Sequence, residues 1–344
     1  TDGSGDLTFT RASTATRVNE QGLIETASIL GGEEITNGDF ATNLNSWSTS
    51  SWWVWNASGA YHPSTNDHKP LYQQCCVIGK TYLITFDLIC VGSSLAKFSL
   101  GSSAGTTTQV IDTSLPSGSY SYTVTSAAEY IVFNRQNTAE FYVDNVSVKE
   151  VIENNVPRID YTGGGCGSLL LESQRTNVLL YSQDFTQASW IKSNSTISAN
   201  TTISPDGTQN ASTLVVSASG YLLQQYTASV LAGGSWALSI FAKNQTTNFL
   251  FLGGATPSGT DTYSIQNMGN GWYRHILVRT FASANASFNL QYLIGTVGTN
   301  YIWGAQAESG SYSTSLINTT STSVTRVADS ASKSGISSLI NSVE

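Results

Sequence analysis

Trp52, Trp53, Trp55, Tyr61 and Tyr72 crowd one stretch of the chain, and Gln73, Gln74, Arg135 and Asn137 offer amide and guanidinium groups to go with them. Flat aromatic faces beside fixed hydrogen-bonding groups are what sugar recognition needs, because a pyranose presents C–H faces to a ring and hydroxyls to amides. The same residues would equally serve a subunit interface or the packing of a core. Trp52 and Trp53 are adjacent, so a strand sends them to opposite sides and at least one of them faces away from the core.

Asp144 is a second candidate. In Phe141-Tyr142-Val143-Asp144-Asn145-Val146-Ser147-Val148 apolar residues alternate with polar ones at the period of a strand. Strict alternation puts Asp144 on the side of Tyr142, Val146 and Val148, where a carboxylate needs a partner such as backbone N–H groups. Catalysis finds little support. Asp67, Asp87, Asp112, Glu129 and Glu140 are scattered, and there is no nucleophile elbow, no Ser-His-Asp order and no metal motif, so no catalytic residue is assigned. Cys75, Cys76, Cys90 and Cys166 lack zinc spacing, and His62, His68 and His275 are too dispersed to complete a site. On a strand Cys75 and Cys76 would point to opposite faces, which makes the thiols core filler, although a bond from Cys90 to either stays open.

The elements that must position these groups are strands. Among 344 residues only 11% are charged, and Ser, Thr, Asn and Gly fill the polar positions, which suits short strands and turns. The net charge of −8 disfavours nucleic acid and anionic membranes. No apolar run approaches the roughly 20 residues that span a bilayer. The start at Thr1 suggests a fragment or a processed chain. Thr81–Leu88, Lys97–Gly101, Tyr120–Val124 and Tyr130–Phe133 read as an antiparallel sandwich.

The pattern occurs twice. Asp184-Phe185 with Trp190 answers Asp39-Phe40 with Trp47, Leu222-Leu223-Gln224-Gln225 answers Leu71-Tyr72-Gln73-Gln74, and Tyr301–Glu308 answers the strand at Phe141. An internal repeat of a jelly-roll unit follows. Beyond it, Ile336, Leu339, Ile340 and Val343 at helical spacing predict a short C-terminal helix over 329–344, with Asp329 or Ser330 as N-cap.

Two resemblances cover nearly the whole chain. Residues 29–151 are similar to a carbohydrate-binding module of the galactose-binding-like jelly-roll type, through Asn37-Gly38-Asp39-Phe40 with Trp47, Gly79-Lys80-Thr81-Tyr82 leading to Phe86-Asp87, and Val143–Val148. In such modules the acidic position matching Asp144, with an acid in the opening strand such as Glu34, often holds a structural Ca²⁺, and oxygen ligands from neighbouring strands would suit that ion. The remainder resembles a module of head-fibre, tail-fibre and spike proteins of tailed bacteriophages, through Phe9–Asn19 with Gly22–Glu25, Asn155–Tyr161 and Leu169–Asn177. The resemblance implies a first domain spliced into a base: 1–28 packing with 152–178, the insert at 29–151, a second jelly roll at 179–328, and a segment leading to a missing C-terminal part. It further implies an all-β, non-catalytic homotrimer on the extracellular virion surface, with carbohydrate and other virion proteins as partners. A purely structural decorating protein, a secreted adhesin and an accessory module of a polysaccharide-degrading enzyme are the alternatives.

Overall fold

The computed structural model describes residues 7–49, 52–63, 70–101, 109–135, 138–243, 249–253, 257–294 and 297–333. Every regular element among them is a β-strand, and among the described residues no helix is long and apolar enough to cross a membrane. The chain divides into two compact units, one of Ser28–Ile152 and one built from Thr1–Ala27 with Glu153–Glu344. Both are antiparallel sandwiches of the jelly-roll type.

In the Ser28–Ile152 unit one sheet runs in the order Gly118–Thr125, Thr81–Cys90, Phe141–Ile152, Gly59–His62, Val54–Asn56, with Ile29–Glu33 also pairing to Phe141–Ile152. The other runs Gln109–Leu115, Ala96–Gly101, Tyr130–Arg135, Leu71–Gln74. Alternation makes the core: Tyr82, Ile84, Phe86 and Leu88 turn inward from one strand and meet Phe98 and Phe133 from the opposite sheet, with Phe86 and Phe98 rings 4.5 Å apart. Burying each such side chain contributes about 1.5–3 kcal/mol. The first and last strands are neighbours, Ile152 lying opposite Ile29, so the chain enters and leaves this unit at one place.

The strand Phe141–Ile152 departs from strict alternation. Asn145 takes a left-handed conformation, φ 51°, and the register shifts between Asp144 and Ser147. That bulge moves Val146 and Val148 to the same buried side as Phe141 and Val143 and leaves Asp144 on the outer face, opposite Asp87. The expectation that Asp144 shares a side with Val146 and Val148 fails for this reason. The Asn37-Gly38 turn is tied to the same strand: Val146 donates its amide to Gly38 O, and a Cβ on Gly38 would lie 1.9 Å from Val146 O, so only glycine fits.

The other sandwich contains one eight-stranded sheet that folds on itself. Its 20-residue strand Ala211–Val230 belongs to both layers, pairing through Ser212–Val216 with Gly298–Ser309 and through Leu222–Val230 with Asn285–Ile294. Short pairs complete this unit: Thr16–Val18 with Ile24–Thr26, Arg158–Asp160 with Ser168–Leu170, Arg175–Asn177 with Val324–Arg326, and Thr8–Thr10 with Ser330–Ser332. The last corrects the helix start: Ser330–Ser332 is a strand, and Asp329 caps nothing because its carboxylate is buried among arginines. Residues Ile336, Leu339, Ile340 and Val343 lie outside the described residues.

A buried ionic chain links these short pairs. Asp329 accepts from Arg11 at 2.9 Å and from Arg158. Arg158 also reaches Glu172 at 2.8 Å, and Glu172 accepts in turn from Arg326. Arg17 bonds Ile159 O, and Val18 donates to Asp160 at 2.8 Å. Segments more than 140 positions apart in sequence are thus held side by side. Burial opposes ionisation of Glu172 and Asp329, yet the guanidiniums of Arg326 and Arg158 on the first and of Arg11 and Arg158 on the second outweigh it and hold both carboxyls below the ordinary range. Removing one partner of a buried pair strands the other, so Arg158→Met is expected to lower stability by about 3–5 kcal/mol, read from the denaturant midpoint. Carboxyls with lowered folded pKa values stabilise above their unfolded values and lose that contribution as pH falls through the folded ones. The denaturant midpoint should therefore drop below about pH 4, and less steeply in Glu172→Gln.

Candidate functional site: an aromatic row on the outer sheet face

The tryptophan stretch sorts by alternation. Trp53 is only 4% exposed and packs edge-on against His62 and Phe141. Trp55 lies opposite Ala60, itself opposite Val143, so it follows the core-facing row to the sheet's end. There its Nε1 donates to Phe40 O at 2.5 Å while 39% of the residue stays exposed. Val54 takes the other side and is 50% exposed, and Trp52, in the turn before the strand, is 48% exposed.

On that outer side a row crosses four strands in register: Val54, Tyr61, Tyr142 and Ile89. The Tyr61 and Tyr142 rings stack with centroids 4.6 Å apart and planes 25° apart. The Tyr61 hydroxyl donates to Glu140 at 2.7 Å. That hydrogen bond, together with burial and the negative field of Glu140, pushes the phenol up to about 12. Two positions along the same face sit Asp144 and Asp87, directly opposite each other. Burial and the charges of Asp87 and Asp39 raise Asp144, whereas the Ser119 hydroxyl and the Asn145 amide, 2.8 Å away, hold Asp87 down. The result is a strip of neutral rings with carboxylate acceptors on both sides, able to hold an apolar ring face and to accept from hydroxyls.

The nine residues expected to share a glycan site do not converge. Tyr72 and Gln74 lie on the opposite sheet, Tyr72 edge-on to Tyr130 at 5.9 Å and Gln74 reaching Glu129 at 3.5 Å. Sandwiched sheets are about 10 Å apart, so one ligand cannot lie on both outer faces. Trp53 belongs to the core. Gln73 is a backbone clamp: its amide accepts from Thr36 N at 2.8 Å and donates to Thr36 O at 3.0 Å. The side chain of Arg135 and all of Asn137 lie outside the described residues. Of the expected set, Tyr61 remains on the outer face of the six-stranded sheet, Trp55 sits at its edge, and Trp52 is exposed in the turn that precedes Val54–Asn56. Tyr142, Glu140 and Ile89 were missed, although the alternation around Phe141 already turned Tyr142 outward.

Glu34 and Asp144 are not direct neighbours across the strands. Glu34 donates its amide to Val148 O, four positions from Asp144 along the strand, or about 13 Å. The charge of Glu34 bears instead on Cys75, Cys76 and Lys80, and no group of three or more His, Cys, Asp or Glu able to hold a metal occurs among the described residues. Cys75 and Cys76 also differ from expectation. They follow the strand Leu71–Gln74 rather than extending it, both amides donate to Glu129 O, and the two sulfurs lie 3.3 Å apart as free thiols. Cys90 is free and reaches Leu115 O.

No family model and no curated protein matches the sequence. Among solved structures the chain is similar to the N-terminal CBM22-1–CBM22-2 tandem domain of Paenibacillus barcinonensis Xyn10C, with 8% identity, a TM-score of 0.32, and coverage of 82% of this chain and 98% of that one.

A phenol with a raised folded pKa stabilises fully below its unfolded value of about 10 and loses that contribution as pH rises through about 12. Titration of tyrosinate absorbance should show several late-ionising phenols, those of Tyr61, Tyr82, Tyr120, Tyr122, Tyr263 and Tyr292, and Glu140→Gln should return one of them, Tyr61, toward about 10.

Proposed function

We propose that the protein is a non-catalytic, glycan-binding component of a virion surface fibre or decoration, and that its outer-face aromatic row contacts the sugar. One observation carries the binding reading: Val54, Tyr61, Tyr142 and Ile89 form a continuous row across four strands, with Val54 and Ile89 half exposed, between carboxylates on either side. Soluble sandwiches turn polar residues outward, and an aromatic and apolar row in that position marks a contact surface. The virion assignment rests on the motifs that resemble phage fibre modules, in particular Phe9–Asn19, Asn155–Tyr161 and Leu169–Asn177. A homotrimer would multiply weak single-site binding, and sedimentation equilibrium should return three times the chain mass of 36.7 kDa.

A second reading has its own support. The aliphatic neighbours Ile89 and Val91 are exposed beside the rings, and such a surface also suits a subunit interface in a purely structural fibre protein.

A glycan array probed with wild type, Tyr142→Ala and Trp52→Ala separates the two. The glycan reading expects specific wild-type binding that each variant weakens by about tenfold, the loss of one stacked aromatic contact. Absence of any wild-type binding, or loss of the trimer in Tyr142→Ala with glycan binding intact, decides for the interface. The bound glycan should show no newly formed reducing ends after incubation. Reducing ends that appear with wild type and disappear with Asp144→Asn would overturn the non-catalytic reading, since Asp144 and Asp87 differ in acidity as a glycosidase pair does.

A further inference from the structure

Arg274 stands apart from the ionic chain of the Thr1–Ala27 and Glu153–Glu344 unit. It is 7% exposed. One terminal nitrogen donates to Ser239 Oγ at 3.0 Å, Ser313 Oγ at 2.8 Å and Thr314 O at 2.7 Å. The guanidinium lies over the Phe241 ring, 5.2 Å from its centroid. Its Nε is buried without a hydrogen-bond partner among the described residues, and no carboxylate there comes within ion-pair distance. Arg158 and Arg326 also have a buried Nε without a partner, but their terminal nitrogens carry carboxylates. The nearby acids are already engaged. Glu172 accepts from Arg158, Arg326 and Ser315, and Glu308 accepts from Gln306 and Thr314 with Arg175 at 3.8 Å. The buried guanidiniums of Arg11, Arg158, Arg274 and Arg326 outnumber the carboxylates of Asp329, Glu172 and Glu308, and Arg274 is the one of the four with no carboxylate in direct contact, Glu308 and Glu172 acting on it only through space.

Arg274 lines a cavity of about 200 Å³ whose wall includes the apolar side chains of Leu316 and Met268 and the hydroxyl of Ser313. The other charged groups that line it have partners: Arg17 holds Glu25 at 2.9 Å, Asp160 accepts from the amides of Val18 and Thr162, and the Glu172 carboxylate is neutralised by Arg158 and Arg326. A cavity of about 150 Å³ accommodates benzene, so this one has room for a six-membered ring bearing a carboxylate.

We propose that this cavity binds a small organic carboxylate on a ring-sized body, the class to which a single hexuronic acid residue belongs. The carboxylate accepts a charge-assisted hydrogen bond from the Arg274 guanidinium and supplies a counter-charge in direct contact with it. The ring body rests on Leu316 and Met268, and the hydroxyl groups along the wall take its polar edge. This site belongs to the other unit from the aromatic row and stands whether or not that row binds glycans.

Isothermal titration of the full chain with glucuronate and benzoate, each against its neutral counterpart, glucose and benzamide, tests the assignment. At least one carboxylate should bind at one site per chain while its neutral counterpart gives no heat. Arg274→Gln should weaken binding by at least about tenfold, the loss of a charge-assisted contact. Because that substitution empties a buried position and could prevent folding, Met268→Trp provides an independent arm, filling the cavity wall and leaving Arg274 in place. It should abolish carboxylate binding with an unchanged circular dichroism spectrum. Binding by neither carboxylate in wild type, equal binding of charged and neutral probes, or wild-type affinity in Met268→Trp would each overturn the proposal.

Discussion

The buried chain of guanidiniums and carboxylates running Arg11, Asp329, Arg158, Glu172, Arg326 is the interaction on which the larger unit depends. Each ion taken out of water costs several kcal/mol, and the arrangement is tolerable only because every carboxylate in it is met by more than one donor. Glu172 accepts from two arginines and from both the amide and the hydroxyl of Ser315. Asp329 accepts from two arginines and from the Glu172 amide. The short strand pairs around this chain are three residues long, too small to persist alone. Charge pairing does for them what a hydrophobic core does for the sandwiches, and it does so between positions that only the fold makes neighbours.

The two sandwiches open with the same device. Trp47 donates its indole N–H to Asn37 O and packs on Phe40 at 5.2 Å. Trp190 donates to Tyr181 O and packs on Phe185 at 5.0 Å. Asn37 and Tyr181 are both left-handed, with φ of 57° and 51°. In each case a glutamine from the matching strand, Gln73 or Gln224, bonds both the N–H and the C=O of the preceding residue, Thr36 or Leu180. A chain forced through an unfavourable turn is pinned there by a side-chain amide imitating a strand edge. The first glutamine of each Gln-Gln pair is therefore architecture, which removes Gln73 from any ligand site.

On the outer face the decisive event is local. The extra residue at Asn145 lets four valine and phenylalanine side chains enter the core from one strand and delivers Asp144 to the side that carries Tyr61, Tyr142 and Asp87. Without the bulge the strand would bury a carboxylate or expose two valines, and either outcome is costly. The same distortion that protects the core builds the polar flank of the aromatic row.

Much of this was legible in the sequence because it is periodic or local. The all-β class followed from short alternating runs, the paired tryptophans had to diverge because adjacent strand residues face opposite ways, and the Asp-Phe-Trp and Gln-Gln matches marked the repeat. Arg17 and Asp160 sat in motifs whose proximity the fold then displayed. What the sequence could not supply was any quantity set by contacts across the chain. A single left-handed asparagine inverts every later side chain of a strand, so the place of Asp144 depended on a torsion angle invisible in residue type. The division of the aromatic and amide residues between two sheets depended on strand order. The terminal segment became a strand rather than a helix start because Thr8–Thr10 was there to pair with it and Asp329 had arginines to answer. Periodicity is written in neighbouring residues and determines which elements form. Pairing partners, register and the balance of buried charge are properties of distant residues brought together, and only the tertiary structure decides them.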